Sequence, residues 1–152
     1  MIDELISAAV IVASVEATEK EDLFPELLRK AADEGAIDAK QRAPLLRKLR
    51  EREGSGSTGI GNGVAVPHVK SKSVTGVQLV VGRSVDGIPY QAVDGRVVHT
   101  VFLVFADESA PEAHLSVLRW ISQLARNPDF RRFFVSAEST DAIRELLQEM
   151  TA

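Results

Sequence analysis

The sequence predicts an α/β domain with helices on both faces of a short sheet. Residues 77–85 (VQLVVGRSV) and 97–106 (VVHTVFLVFA) are apolar at consecutive positions, as expected of central strands covered on both sides. Helical patterns lie before, between and after the buried strands as a set, Val10 to Val15 included, which places helices on both sheet faces. The chain has 152 residues, 45% of them hydrophobic and 26% charged. A chain of that size buries roughly 70% of its unfolded surface, enough for a core of its own. Residues 1–152 are therefore expected to form a single domain, a three-layer α/β/α sandwich.

The elements follow in order. Val10 to Val15 (VIVASV) is a short β-branched run suited to a buried strand. Thr18-Glu19-Lys20-Glu21 has the form of a capping box, which starts a helix running towards Gly35. Pro25 removes a helical hydrogen bond, so that helix either kinks there or begins at Phe24-Pro25. Asp38 to Glu53 reads as a second helix capped by Asp38, with Leu45, Leu46 and Leu49 on one side and Pro44 awkwardly inside. Asp86-Gly87 and Asp94-Gly95 supply turn chemistry between the two long strands. Glu112 to Arg126 puts Val117, Leu118, Ile121, Leu124 and Ala125 on one stripe. Asn127-Pro128 interrupts that helix, Asp129 to Val135 forms a short one, and Ser139 caps a last helix carrying Ile143, Leu146, Leu147 and Met150.

Composition narrows the chemistry. Eighteen Lys+Arg against 22 Asp+Glu give a net charge of −4, so no global basic field favours nucleic acid. The absence of cysteine excludes disulfides, thiolate nucleophiles and cysteine-ligated metals. Three histidines remain: His68, His99 and His114. The acidic start Met-Ile-Asp-Glu does not look like a secretory signal. The run Ala8 to Val15 is far short of the ~20 residues a membrane span needs. By elimination, the expected location is the cytoplasm, without membrane insertion.

The informative segment is 50–70, REREGSGSTGIGNGVAVPHVK, which holds five of the ten glycines. A helix ends in a glycine-rich loop, and Val64-Ala65-Val66, Pro67 and His68 follow. Proline fixes its own φ and extends the residue before it, so His68 is presented from a stiffened backbone. Gly54 to Gly59 matches G-x-G-x-x-G but follows a helix, where dinucleotide binding requires a strand. The loop has no lysine for a phosphate-binding P-loop, and neither G-x-S-x-G nor H-E-x-x-H occurs. What remains is an anion-binding loop beside a histidine. Successive glycine N–H groups, the Gly59 N–H among them, can converge there, Ser57 and Thr58 add hydroxyls, and Arg52 can offer a bidentate fork. A neutral imidazole can attack phosphorus and carry the group covalently. The same spacing also fits a glycine-requiring turn with a histidine that bonds only its neighbours.

Arg52-Glu53 followed by Gly56-Ser57-Thr58-Gly59-Ile60-Gly61-Asn62-Gly63-Val64-Ala65-Val66-Pro67-His68 resembles the signature of phosphotransferase-system enzyme IIA domains of the fructose/mannitol class. Within that class it is closest to the nitrogen-regulatory type. The resemblance continues through Asp94-Gly95, the strand Val97 to Phe105, and the helix opened by His114-Leu115. It implies a mixed central sheet within the α/β/α sandwich. It implies that His68 accepts phosphate at Nε2 from an HPr-like phosphocarrier, with Arg52 and His114 around the phosphoryl group. The phosphate would then pass to an enzyme IIB domain or act as a regulatory switch on other proteins. A sugar-specific component feeding a IIB/IIC transporter is the alternative, and a small hydrolase using Ser57 and His68 a remote one. No metal or cofactor is expected. Val69 stands where the family usually has glycine, and Gly54-Ser55 replaces a bulkier pair.

For the remaining side chains the periodicity is informative. His114 shares a helix face with Val117 and Leu118, three and four positions on, so it should point inward. His99 alternates with Val97, Val101, Leu103 and Phe105 and is expected to be structural. Arg47, Lys48 and Arg50 look like a solvated helix face. A carrier docking over His68 should meet a shallow apolar surface around Val64–Val69.

Overall fold

The computed structural model describes residues 1–151. In chain order the elements are α1 (Ile2–Ala8), β1 (Val10–Val12), α2 (Lys20–Asp33), α3 (Arg42–Gly54), β2 (Gly59–Gly61), β3 (Val64–Ala65), β4 (His68–Ser71), β5 (Val77–Ile88), β6 (Val98–Asp107), α4 (Pro111–Arg126), α5 (Pro128–Ser136) and α6 (Thr140–Thr151).

The sheet runs β1-β5-β6-β3-β2, and β4 also pairs with β6. β5 and β6 are antiparallel, whereas β1 runs parallel to β5 and both β3 and β4 run parallel to β6. The sheet is therefore mixed, as the family resemblance implies. On one face Leu5, Val117, Ile121, Phe130, Phe134, Ile143 and Leu147 from α1, α4, α5 and α6 pack on Val64, Leu79, Phe102 and Val104. On the other, Leu23, Leu27, Leu45 and Leu49 from α2 and α3 pack on Val80, Val101, Leu103 and Phe105. Successive residues of β6 serve opposite cores, which is why the strand reads as one continuous apolar run. The three-layer α/β/α expectation holds.

Local boundaries differ where backbone chemistry outweighs pattern. Helix α2 starts at Lys20 with Glu19 as cap, and no side chain bonds the cap, so the Thr18 capping box is not made. Pro25 lies inside this helix without ending it. The carbonyl it leaves free belongs to Glu21, an exposed residue that water can serve. Asp38 does cap, accepting from Lys40 N–H at 2.9 Å, but what it caps is a 3₁₀ turn over Ala39–Gln41. That turn delays α3 until Arg42, which puts Pro44 in the first helical turn, where no N–H is needed. The strand expected to reach Val15 stops at Val12.

A bulge changes the parity of β6. His99 and Thr100 both donate their N–H to the Gly63 carbonyl, at 2.9 and 3.0 Å. In consequence Val98, not Val97, joins Val101 in the α2/α3 core, and Val97 is exposed. His99 therefore does not share the face of Val101, Leu103 and Phe105. Its role is structural in another way: Nδ1 donates to the Ser84 carbonyl at 2.9 Å, holding the facing bulge of β5. Asp86-Gly87 falls within that bulge, with Gly87 at φ 86°.

Candidate functional site

The glycine-rich segment folds into β2, a turn and β3, all set by close backbone approach. A Cβ on Gly59 would lie 2.8 Å from both Cα and Cβ of Ala92. Gly59→Ala is expected to cost about 1–3 kcal/mol, the range for overpacking, read as a lower urea midpoint. An unchanged midpoint would show that the contact yields freely. Asp94 pins the following turn, accepting from the N–H groups of Asn62 (2.9 Å) and Arg96 (3.0 Å). Those two bonds hold its carboxyl below the usual carboxylate range.

β3 and Pro67 then deliver His68 to the first position of β4, opposite Val104 of β6. Val64 and Val66 belong to the α4-side core and Val69 to the other, so strand alternation turns His68 towards α4. The ring is half-buried, and its Nδ1 lies 2.8 Å from the Val66 carbonyl. A carbonyl can only accept, so Nδ1 carries the hydrogen and Nε2 keeps its lone pair.

His114 comes from the first turns of α4 and is 3% exposed. The two imidazoles meet edge to face, with ring centres 5.6 Å apart. His114 Nε2 is buried and has no hydrogen-bond partner among the described residues. Burial, then the charges of His68 and Lys70, push its pKa below the ordinary histidine value. As pH falls, the unfolded chain therefore takes up this proton before the folded one does. The stabilisation is complete above about pH 6.5 and is lost progressively as pH drops from there. Urea midpoints measured downwards from neutral pH should decline over that window, and His114→Gln should flatten the decline. An identical slope in both proteins would refute the linkage.

Arg52 lies in the last turn of α3, and its Nη1 donates to the Gly56 carbonyl at 2.8 Å. The Ser55 hydroxyl donates to the Arg52 carbonyl at 2.8 Å. The Gly54-Ser55 pair therefore closes a tight turn around this arginine.

The loop donors expected to face an anion are already engaged. Ser57 donates to the Tyr90 carbonyl at 3.2 Å and accepts from Gly59 N–H at 3.1 Å. The buried Thr58 hydroxyl donates to Glu53 and lies 2.8 Å from the Tyr90 hydroxyl. No hydrogen bond joins Ser57 to His68 among the described residues, which leaves a serine hydrolase without its nucleophile–base pair. The apolar surface expected around Val64–Val69 is also absent. Val64, Ala65, Val66 and Val69 are core residues, whereas Leu115, which follows His114 in the chain, is exposed.

Glu53 emerges with a role the sequence did not reveal. Its carboxylate accepts from Lys20 Nζ at 2.7 Å, from the Thr58 N–H at 3.2 Å and hydroxyl, and from the Tyr90 hydroxyl at 3.0 Å. Burial first, and then the Glu53 charge, push the Tyr90 phenol far above its usual range, so it stays a donor. The Arg52-Glu53 pair in the signature was the available signal, but nothing in it pointed to partners at Lys20 and Tyr90.

The structure thus sets a histidine at the edge of a mixed α/β/α sheet, with its Nδ1 bonded to the Val66 carbonyl and a second imidazole beside it. Residues 4–150 match the family described as phosphoenolpyruvate-dependent sugar phosphotransferase system, EIIA 2, and the chain belongs to that family. It is an EIIA-type phosphoryl-transfer component of a phosphotransferase system. It is 34% identical to the fructose-specific EIIABC component of Bacillus subtilis over 97% of this chain, but spans only 23% of that longer protein. It is 32% identical to the fructose-specific EIIA component of Haloferax volcanii, over 86% of this chain and 84% of that protein. The nitrogen regulatory protein of Bradyrhizobium diazoefficiens is 29% identical, over 96% and 94% of the two chains. Among solved structures, the nitrogen regulatory protein IIA-Ntr of Neisseria meningitidis superposes with a TM-score of 0.80 at 27% identity, covering 96% of this chain and 98% of the other.

Proposed function

We propose that His68 is the phosphoacceptor and that Nε2 forms the bond to phosphorus. The observation that supports this is the Nδ1–H bond to the Val66 carbonyl, which leaves the Nε2 lone pair available. The donor is an HPr-like phosphocarrier bearing a phosphohistidine. Nε2 of His68 attacks phosphorus in line, the carrier's P–N bond breaks, and its electron pair returns to the carrier imidazole. His114, kept neutral by burial, donates from its unpartnered Nε2 to a phosphoryl oxygen. Arg52 supplies positive charge from the loop, using guanidinium donors not spent on Gly56. Ser57, Thr58 and Gly59 shape that loop rather than touch phosphate, since their donors are bonded inward.

The phosphorylated protein then acts as a regulatory switch of the nitrogen type, which the IIA-Ntr likeness favours. The second reading is delivery to a sugar transporter's IIB domain, favoured by the fructose-specific relatives at 34% and 32% identity. Phosphorylation with phosphoenolpyruvate, enzyme I and phosphocarrier should yield an acid-labile, alkali-stable label. Nitrogen NMR should place it on Nε2 of His68, and a label on Nδ1 or on another residue overturns the assignment. Transfer from the labelled protein to a fructose-type IIB domain would support the transport reading. Capture of a soluble partner that discriminates His68→Ala from His68→Asp would support the regulatory one.

A further inference from the structure

A surface depression lies towards the opposite end of β6 from the histidine pair. Asn62, Gly63, Arg96, Val97, His99 and Arg131 line this depression of about 470 Å³, within the size range of small-ligand sites. His99 is five positions along β6 from Val104, the register partner of His68, which puts the two sites roughly 16 Å apart at the strand rise.

Arg96 and Arg131 line this depression, and no acidic residue is among its lining residues. Arg131 is half-buried and partly fixed, because Nη1 donates to the Ala125 carbonyl at 2.7 Å. Arg96 is exposed, but its backbone is held by Asp94, whose two oxygens are committed to the N–H groups of Arg96 and Asn62. The Asp94 carboxylate beside Arg96 offsets one of the two positive charges, so the depression keeps a net positive balance of about one charge in a chain of net charge −4.

The imidazole adds specificity. His99 Nδ1–H is bonded to the Ser84 carbonyl, so the neutral ring offers Nε2 as an acceptor. A Cβ on Gly87 would stand 3.0 Å from Cε1, and one on Gly63 3.8 Å from Cδ2. Two glycines thus lie close to the carbons that adjoin Nε2, and that nitrogen is not among the buried unpaired atoms. Guanidinium forks match phosphate oxygens in bidentate geometry. An imidazole acceptor beside them suits a ligand hydroxyl.

We propose that this depression binds the phosphate of a small phosphorylated molecule between Arg96 and Arg131, with His99 Nε2 accepting a hydroxyl hydrogen from the same ligand. The site is separate from the histidine pair and does not depend on the role proposed for His68. The test is titration of the isotope-labelled full chain at constant ionic strength, with glycerol phosphate and with inorganic phosphate as probes. Saturable amide shifts at Gly63, Arg96, Val97 and His99 are expected, with glycerol phosphate the tighter ligand. Arg96→Ala, an exposed change, should weaken binding about tenfold, or ~1.4 kcal/mol, with an unchanged melting temperature. Equal affinity for the two probes removes the hydroxyl contact but keeps the phosphate site. Shifts confined to His68 and His114, no saturation, or parental affinity in Arg96→Ala overturns the proposal.

Discussion

Alanine at His68 should abolish phosphoryl acceptance, and alanine at His114 should slow it about 10²–10³-fold, the usual cost of losing one charge-stabilising donor. The two effects differ in kind. In the role proposed for it, His68 supplies the lone pair that forms the P–N bond, and removing the ring removes that lone pair. In the role proposed for His114 no covalent bond forms, and its unpartnered Nε2 donates as charge gathers on the phosphoryl oxygens. Neither substitution should unfold the protein. His68 gives up one hydrogen bond to the Val66 carbonyl, worth about 0.5–1.5 kcal/mol. The His114 change removes a nitrogen that was buried without compensation. Rapid-quench labelling and thermal melts separate the cases. A phosphorylated His68→Ala, or a His114→Ala labelled at the parental rate, would refute the corresponding role.

Much of this site was legible because the constraints are local. Pro67 beside His68, the glycines before it, and the inward spacing of His114, Val117 and Leu118 follow from backbone geometry within a few residues. What was not legible depends on tertiary partners, most of them distant in sequence. The donors of Ser57 and Thr58 looked free because their acceptors sit at Tyr90 and Glu53. Val64 to Val69 looked like a docking surface because a short apolar run does not declare that both its faces are covered by helices. His99 was placed on the wrong face because a bulge shifts strand parity by one, and the bulge is made by Gly63, across the sheet. The fold class survived these errors, since it rests on the apolar runs and helix stripes rather than on any single register. The mixed sheet direction came from family likeness, because apolar runs do not encode strand polarity.

Glu53→Ala should destabilise the protein by about 2–4 kcal/mol, somewhat under the usual cost of breaking a buried pair. The Glu53 side chain is 7% exposed and that of Lys20 19%, so removing the carboxylate leaves a poorly solvated ammonium behind. Part of the loss is recovered. Lys20 Nζ retains the Tyr90 carbonyl at 3.3 Å and the Tyr90 ring at 4.1 Å, and the Thr58 and Tyr90 hydroxyls can still bond each other. Glu53→Gln keeps an acceptor oxygen and the volume, so its cost should be smaller. The consequence for function follows from position. Glu53 directly follows Arg52, and its bonds to Thr58 fix the far end of the turn that Arg52 closes through Gly56. Loss of the carboxylate frees that turn, so the phosphorylation rate should fall in Glu53→Ala although Glu53 is assigned no contact with phosphate. A purely structural role would lower the urea midpoint and leave the rate of the folded fraction unchanged. A positioning role lowers both, and Glu53→Gln should restore most of the rate because it still accepts from Thr58.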